Sequence, residues 1–185
     1  MTDSTLSTPR LVFRAPSVSH LPANPEFSIP SVDFLNGTWH VTHSTLPMWK
    51  SSRNVRITYT PLSDNPEKLD DRVEYQSLSG EKLKSVHGID TPNQTFPGSY
   101  DWRGKGWLKI ASSHWEVIGY GPEEGGWAVT YFAKTLFTPA GVDVYSRRKG
   151  GLSEALLQRI QDEMKRIEDD NFKKMLQDIF TVKHD

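Results

Sequence analysis

The chain has 185 residues, the size of one ordinary domain. Its 22 Lys and Arg residues nearly balance its 23 Asp and Glu residues, for a formal net charge of −1, so no overall field attracts nucleic acid or an anionic membrane. There are no cysteines, which excludes disulfides and thiolate metal sites and fits a reducing compartment. We therefore predict no nucleic-acid partner.

The N-terminal segment, MTDSTLSTPRLVFRAPSVSH, lacks the apolar run of a secretory signal. No stretch of the chain approaches the roughly 20 apolar residues of a membrane span. From this we expect a cytoplasmic protein with no membrane span. Residues 1–30 carry five prolines among Ser, Thr and Asn, a composition that favours a flexible arm because it buries too little surface to offset the entropy of ordering.

Residues 31–150 form a β-rich region. Short runs rich in Val, Ile, Thr, Tyr and Trp, such as NVRITYT and WAVTYFAKTL, are separated by clusters of Gly, Pro, Asn and Asp. We distinguish about eight such runs, among them the long central run SYDWRGKGWLKI, which we read as one strand holding Trp102 and Trp107. This spacing predicts an all-β barrel or sandwich, and the run GYGPEEG predicts a turn between two strands.

Residues 151–185 have the periodicity of helices. An amphipathic stripe recurs about every four residues after Gly150 and Gly151, with Ser153 and Glu154 suited to the first turn. The stripe consists of Leu152, Leu156, Ile160, Met164 and Ile167. A second stripe follows, made of Phe172, Met175, Leu176, Ile179 and Phe180. We predict that both stripes pack against the barrel.

Several of these features occur together in one known family. The first strand begins with Gly37-Thr38-Trp39, the G-x-W pattern, after the segment VDFLN, and the last strand, VDVYSRR, precedes the helix start LSEALLQRI. In this order, and with eight β-runs, residues 32–167 resemble the lipocalin/calycin superfamily, in particular the branch of bacterial lipocalins and apolipoprotein D. The resemblance implies an eight-stranded antiparallel up-and-down β-barrel with a C-terminal α-helix packed outside.

The sequence departs from the family pattern in three places. The Thr-Asp-Tyr loop motif is absent, and GYGPEE stands in the corresponding turn. Most relatives are secreted and disulfide-bonded, whereas this chain has no cysteine. Asp143 occupies a position, four residues before the arginine of the last strand, where the apolipoprotein D branch often has a bulky aromatic. The last departure predicts a different chemistry for the pocket.

The resemblance also implies the floor of the barrel. In the family, the tryptophan of G-x-W lies under the arginine of the last strand in a cation–π contact. The corresponding residues are Trp39 and Arg147, with Gly37 at the start of the strand. These three residues are our predicted structural floor.

Register then suggests a polar pair above this floor. The first and last strands of a closed barrel are antiparallel neighbours, and opposing Trp39 to Arg147 places Val41 opposite Tyr145 and His43 opposite Asp143. A carboxylate beside an imidazole orients the ring and raises the pKa of the histidine, as general acid–base catalysis requires. The same pair could instead bind the polar group of a ligand or simply satisfy itself, and a β-bulge would separate the two residues.

Aromatic side chains supply the predicted ligand contacts. Either they line a cavity for a flat or polyene-like apolar ligand, or they fill the barrel, since an eight-stranded barrel is wide enough for one or the other. A solid barrel would leave only an interaction module. Pro47, Met48 and Trp49 lie in the first loop and predict a lid or entrance. The predicted ligand-binding residues are Val41, Trp49, Tyr75, Tyr100, Trp102, Trp115 and Tyr145.

No motif indicates a metal or a cofactor. The chain contains no HExxH and no Gly-x-Ser-x-Gly elbow. His40 and His43 are three apart on a strand and point to opposite faces, which argues against a shared metal. We predict that the protein uses neither.

Two functions of different classes remain open. The first is an intracellular carrier that encloses a hydrophobic small molecule, as most of the resembling family do. The second is a cofactor-independent isomerase, dehydratase or cyclase of a natural-product pathway, since some fungal Diels–Alderases have lipocalin-like barrels and act largely by orienting a flexible substrate. In that case His43 and Asp143 are the predicted catalytic residues. The sequence does not decide whether the protein is an enzyme.

Overall fold

A computed structural model describes residues 9–185. Eight antiparallel strands follow one another around a barrel, and the pairing of the second strand with the first closes it. The strands are Gly37–Ser44 (β1), Ser52–Pro61 (β2), Leu69–Ser77 (β3), Lys84–Pro92 (β4), Ser99–Gly104 (β5), Ser112–Gly121 (β6), Trp127–Phe132 (β7) and Gly141–Ser146 (β8). The predicted up-and-down barrel is therefore confirmed.

Among the described residues, three α-helices accompany the barrel: Val32–Leu35 (α1), Glu154–Lys165 (α2) and Asp170–Leu176 (α3). The Ser153 hydroxyl accepts a hydrogen bond from the Leu156 amide at 3.2 Å, so it caps α2 as its position predicts. The apolar faces of α2 and α3 pack outside the barrel against residues of β6, β7 and β8 that point away from its interior. No helix in the described part of the chain is long and apolar enough to cross a membrane.

The end of the chain differs from the prediction. The second predicted helix corresponds to α3 and stops at Leu176. Phe180 belongs instead to a short strand, Phe180–Thr181 (β9). This strand pairs with β1 at His43 and Ser44, whereas β1 pairs with β2 only from Gly37 to His40. The C-terminal residues thus fill the gap between β1 and β2 at one end of the barrel, because an open strand edge would leave backbone groups without partners.

Residues 9–30, which we expected to form a flexible arm, lie against the barrel instead. Leu11 and Phe13 are buried, and the Phe13 ring stacks on Trp127 with centroids 5.7 Å apart. A Cβ at Gly119 would lie 2.3 Å from the Phe13 ring, so the glycine makes room for it. The Arg14 guanidinium donates to three carbonyls on the barrel. Leu11, Phe13 and Arg14 therefore dock the segment on the barrel. The first eight residues of the predicted arm lie outside the described ones.

The long central run SYDWRGKGWLKI is not one strand as predicted. Its strand ends at Gly104, and Gly106–Leu108 forms a 3₁₀ turn before β6 begins. Trp107 is therefore in a turn and not in a strand as predicted, and its side chain lies outside the described part of the chain. The glycine-rich run after β6 forms the predicted turn, with Glu123–Gly125 joining β6 to β7.

Candidate functional site: the barrel interior

The closed end of the barrel is organised around one arginine. The Arg147 guanidinium carbon lies 3.5 Å from the centroid of the buried Trp39 ring, the contact that the resemblance implies. Arg147 also donates to the carbonyls of Phe34 at 2.5 Å, Asn36 at 2.8 Å and Thr38 at 3.0 Å. Burial lowers the pKa of Arg147 to about 10.

Gly37 completes this floor. Its φ of +101° lies in the region that favours glycine, and a Cβ there would lie 3.1 Å from Arg147 Nη1. The Trp39 indole N–H donates to the Leu35 carbonyl of α1 at 2.9 Å. The short helix, the glycine and the tryptophan therefore hold the arginine over the base of the barrel.

A bulge in β1 separates the predicted histidine–aspartate pair. Val41 pairs with Tyr145 as predicted, but the next paired residues are His43 with Val144 and Ser44 with Asp143. One extra residue in β1 reverses the faces of all residues beyond it. The prediction that His43 lies beside Asp143 is therefore wrong, and Ser44 takes its place.

The structure places His43 away from the cavity. Its Nδ1 lies 3.2 Å from the hydroxyl of Thr42, and partial burial lowers its pKa. No carboxyl group raises that pKa, contrary to what the predicted pair would have done. Whether His43 or Asp143 acts in catalysis stays a prediction.

Asp143 itself is an inward-facing, buried carboxyl group that lines the barrel cavity. It accepts hydrogen bonds from the Ser44 hydroxyl at 2.5 Å and from the Trp49 indole N–H at 3.3 Å. Burial raises the pKa of Asp143 to about 7, and these two hydrogen bonds act in the opposite direction. Asp143 is thus a carboxyl group of the cavity wall with a pKa near neutral.

The barrel encloses a cavity of about 1100 Å³. Its walls are mainly aromatic and aliphatic, and four of the predicted ligand-binding residues, Trp49, Tyr75, Trp102 and Trp115, are among them. Other apolar lining residues are Leu46, Met48, Ile57, Tyr59, Val73, Val86 and Phe132.

The other three predicted ligand-binding residues are buried but are not among those that line the cavity. Tyr145 packs near Trp39, with ring centroids 6.3 Å apart, and Val41 lies opposite Tyr145 on β1. Tyr100 stacks on Trp115 at 4.7 Å. These side chains therefore support the wall and the floor of the cavity.

A stack of three aromatic rings lies beside the cavity, and two of them, Tyr59 and Trp115, line it. Trp115 lies between Tyr59, at 5.3 Å, and Tyr100, with interplanar angles of 17° and 21°. The Trp115 indole N–H donates to Asp90 at 2.8 Å, which fixes the ring. Trp102 pairs with Asp90 on β4, and its ring lies over Gly88, two residues away, where a Cβ would lie 2.1 Å from the indole nitrogen.

Asp71 and Asp90 are interior residues that the sequence analysis missed. Asp71 lines the cavity and is 6% exposed, and Asp90 is fully buried. Burial and the neighbouring Asp90 raise the pKa of Asp71 well above its usual value, while burial raises the pKa of Asp90 to about 7. A signal was available: Asp71 is four residues before Tyr75 in one strand, so the two share a face.

The mouth of the cavity carries exposed apolar side chains on three loops. Met48 follows β1, Ile110 precedes β6, and Leu136 and Phe137 lie between β7 and β8. The last three are 93%, 96% and 87% exposed. Within residues 9–185, no three His, Asp or Glu side chains converge as metal ligands.

No family model matches the chain, and no curated protein matches it in sequence. Solved structures are similar in fold. Lobster apocrustacyanin A1 is 14% identical, with a TM-score of 0.59 over 82% of this chain and 78% of that one. Apocrustacyanin C2 is 15% identical, with a TM-score of 0.60 over 88% and 93%. The cockroach allergen Per a 4 is 10% identical, with a TM-score of 0.63 over 89% and 94%.

These likenesses identify the class of fold. The closed eight-stranded antiparallel barrel with its outer C-terminal helix is a lipocalin-like fold, shared with these structures. Membership of the lipocalin/calycin superfamily, and of its branch of bacterial lipocalins and apolipoprotein D, stays a prediction.

Proposed function

We propose that the protein binds a hydrophobic small molecule inside its barrel. The observation that supports this most is the cavity of about 1100 Å³, with walls of tryptophan, tyrosine and aliphatic side chains. An eight-stranded barrel is either filled by side chains or hollow enough for one small molecule. Ligand pockets usually measure about 300–1,000 Å³, so this cavity has room for a ligand of drug size or larger.

The exposed apolar loops at the mouth support the same proposal. Met48, Ile110, Leu136 and Phe137 all line the cavity while being exposed to solvent. Exposed apolar groups that are contiguous with a pocket commonly mark a binding site. They offer an apolar path from the surface to the interior.

Titration with N-phenyl-1-naphthylamine, an apolar dye whose fluorescence rises in apolar surroundings, tests the proposal. We expect saturable binding of one dye per chain. Val73→Trp, which fills the cavity, should weaken it at least tenfold, whereas Val18→Trp on the outer surface should not. Circular dichroism checks that both variants are folded. Absence of saturable binding by the wild-type chain would contradict the proposal.

A second function, a cofactor-independent isomerase, dehydratase or cyclase, is favoured by one observation. The carboxyl group of Asp143 faces the cavity and has a pKa of about 7, the value at which a group gives and takes protons well at neutral pH. A ligand recovered from the native source by native mass spectrometry is the substrate candidate for this test.

The test compares two variants in turnover of that ligand, followed by liquid chromatography and mass spectrometry. Asp143→Asn should abolish turnover while ligand affinity stays within about tenfold, because the lost interaction would act in the transition state. Asp64→Asn, in the exposed loop after β2, is the control and should keep the full turnover. Unchanged ligand in all three proteins supports the carrier function alone.

A cytoplasmic location is part of the same proposal. It is supported by the sequence features that favour a reducing compartment, above all the lack of cysteine. Fractionation of the source cells should recover the protein with cytosolic markers. Recovery from the culture medium would contradict this location without affecting the binding proposal.

A further inference from the structure

We propose that the open end of the barrel docks reversibly on the surface of an anionic lipid bilayer. Successive antiparallel strands alternate in direction, so every second connection lies at the same end of the barrel. The docking surface consists of the four loops at the open end, which we call the mouth loops: residues 45–51, 78–83, 105–111 and 133–140. The inference concerns the outside of these loops and goes beyond ligand binding in the cavity.

The first support is the concentration of exposed apolar side chains on the mouth loops. Ile110, Leu136 and Phe137 are almost fully exposed, and they belong to two different loops. Large apolar side chains that are clustered in contact with water mark interaction surfaces. The other exposed members of the cluster are Met48, Leu78 and Leu83.

The second support is the charge of the same loops, which contain five lysines and one glutamate. The glutamate, Glu81, pairs with Arg53 at 2.8 Å, and one lysine, Lys105, pairs with Asp70. In the described part of the chain the other four lysines form no ion pair, and all four are exposed, so their charges are available to an external anion. These are Lys50, Lys82, Lys109 and Lys134.

The opposite end of the barrel has the reverse character. Its loops, residues 62–68, 93–98 and 122–126, hold four acidic residues and one lysine. Phe96 is the one large apolar side chain exposed on these described loops. The net charge of −1 therefore combines a basic, apolar end with an acidic end. Such an asymmetry turns the basic end toward an anionic surface.

An anionic bilayer fits this combination of groups. Apolar side chains bury in the boundary between headgroups and acyl chains, while acidic headgroups attract lysines close to the membrane surface. The long lysine stem lets the ammonium group stay at the level of the headgroups while the tip of the loop enters the boundary. The mouth loops carry both kinds of side chain.

Two other occupants fit less well. A second copy docked face to face would bring the exposed lysines of both chains together, and like charges repel. A protein partner is usually recognised through side chains in well-packed pockets, whereas Ile110, Leu136 and Phe137 project into solvent.

Docking at this end would place the mouth of the cavity against the bilayer. Met48, Ile110, Leu136 and Phe137 line the cavity as well as its rim, so an apolar ligand would pass between lipid and barrel without crossing water. This consequence rests on the proposed binding function, whereas the docking itself does not.

Co-sedimentation with lipid vesicles tests the docking. One set of vesicles is phosphatidylcholine alone, and the other mixes phosphatidylcholine with the anionic phosphatidylserine at about 7:3. At about 0.1 M salt we expect the chain to bind the mixed vesicles about tenfold more tightly, since each lysine near the surface adds to the attraction. Raising the salt to about 0.5 M should remove most of this preference, because screening shortens the reach of the charges.

Lys109→Glu combined with Lys134→Glu tests the charge of the mouth loops. We expect the affinity for the mixed vesicles to fall by about tenfold or more. Lys68→Glu combined with Lys149→Glu makes the same change in net charge at the opposite end. This control should change the affinity by less than about twofold, because charges far from the membrane are screened. Equal losses for the two variants would overturn the assignment to this end.

Leu136→Ser combined with Phe137→Ser tests the apolar contact. We expect about tenfold weaker binding to the mixed vesicles, because two large apolar side chains no longer leave water. Val18→Ser combined with Leu21→Ser, two exposed side chains outside the mouth loops, is the matched control. Unchanged vesicle binding by the mouth variant would contradict the insertion of these tips.

The outcomes separate docking from its alternatives. Equal affinity for the two kinds of vesicle, or no sedimentation with either, overturns the proposal. Sedimentation velocity without lipid examines the second copy: a wild-type dimer that the serine variant of Leu136 and Phe137 dissociates would overturn it as well. Circular dichroism checks that every variant is folded. Dye binding in the cavity is measured separately, so a failure of docking leaves the binding function intact.

Discussion

The two ends of the barrel differ in how far their apolar side chains are buried. At the closed end, Trp39 is fully buried under Arg147, and the guanidinium is satisfied by three backbone carbonyls. At the open end, Ile110, Leu136 and Phe137 are almost fully exposed. The contrast indicates that one end stabilises the fold while the other end leaves the cavity accessible from solvent.

The same contrast applies to buried polar groups. Arg147 donates hydrogen bonds to the carbonyls of Phe34 in α1, of Asn36 between α1 and β1, and of Thr38 in β1. Inside the barrel, the carboxyl groups of Asp71 and Asp90 are buried beside each other, and burial raises the pKa of both. Proteins tend to place such costly groups at functional sites and to stabilise themselves elsewhere.

The largest effect is expected from the floor. Trp39→Ala removes a fully buried ring and the surface on which Arg147 lies, so we expect the free energy of unfolding to fall by about 3–5 kcal/mol. Met48→Ala at the mouth should change it by less than about 0.5 kcal/mol. Urea denaturation measures both. Similar losses for the two variants would remove the distinction between the ends.

The pH dependence of stability tests the buried carboxyl groups. Burial raises the pKa of Asp143 from 3.8 to about 7. Between these values the folded chain keeps a proton that the unfolded chain has lost, so this group lowers stability as pH rises through the window and has a constant effect above it. The total effect is at most about 4 kcal/mol.

Asp143→Asn should therefore reduce the loss of stability between pH 4 and pH 7, measured as the change in melting temperature. Asp90 acts in the same direction and will leave part of the slope in place. Asp64→Asn should leave the whole slope, because that side chain is exposed. If Asp143→Asn kept the full wild-type slope, Asp143 would not titrate between pH 4 and pH 7.

A smaller loss is expected when the floor cation is exchanged. Arg147→Lys keeps the charge but cannot lie flat on Trp39 and reach the carbonyls of Phe34, Asn36 and Thr38 together. We expect a loss of about 1–3 kcal/mol in unfolding free energy. The neighbouring Arg148→Lys, on an exposed side chain, should cost less than about 0.5 kcal/mol. Equal costs would mean that the planar contact contributes little.

The smallest effect is expected at the mouth. Leu136→Ser combined with Phe137→Ser replaces two nearly fully exposed side chains, so the unfolding free energy should change by less than about 0.5 kcal/mol. Chemical denaturation again provides the measurement. A loss above about 1 kcal/mol would show that the loop between β7 and β8 supports the fold.

Local patterns in the sequence predicted most of the architecture. Alternation of side chains along strands, the change of period after Gly151 and the cap at Ser153 are properties of neighbouring residues, and the structure has the strands, the helix and the cap. The floor followed from a family resemblance at Trp39 and Arg147. The N-terminal segment was misjudged because its docking depends on Leu11 and Phe13 meeting a barrel wall that is distant in sequence.

The candidate site was predicted in part. Trp49, Tyr75, Trp102 and Trp115 line the cavity, and Asp143 faces it. The partner of Asp143 was wrong because nothing in GTWHVTHS shows where one residue will be left unpaired. Asp71 and Asp90 were not predicted as interior residues. Alternation along the strand showed which face they occupy, but their burial depends on tyrosine and tryptophan side chains from other strands.

The sequence by itself thus determined most of the strands and helices and which residue types are available to the interior. The tertiary structure alone decided which of them meet: Ser44 with Asp143, Asp71 with Asp90, and β9 with the gap beside β1. The physical reason is that periodicity is local, whereas a bulge, a buried charge and a closed edge depend on contacts between residues far apart in the chain.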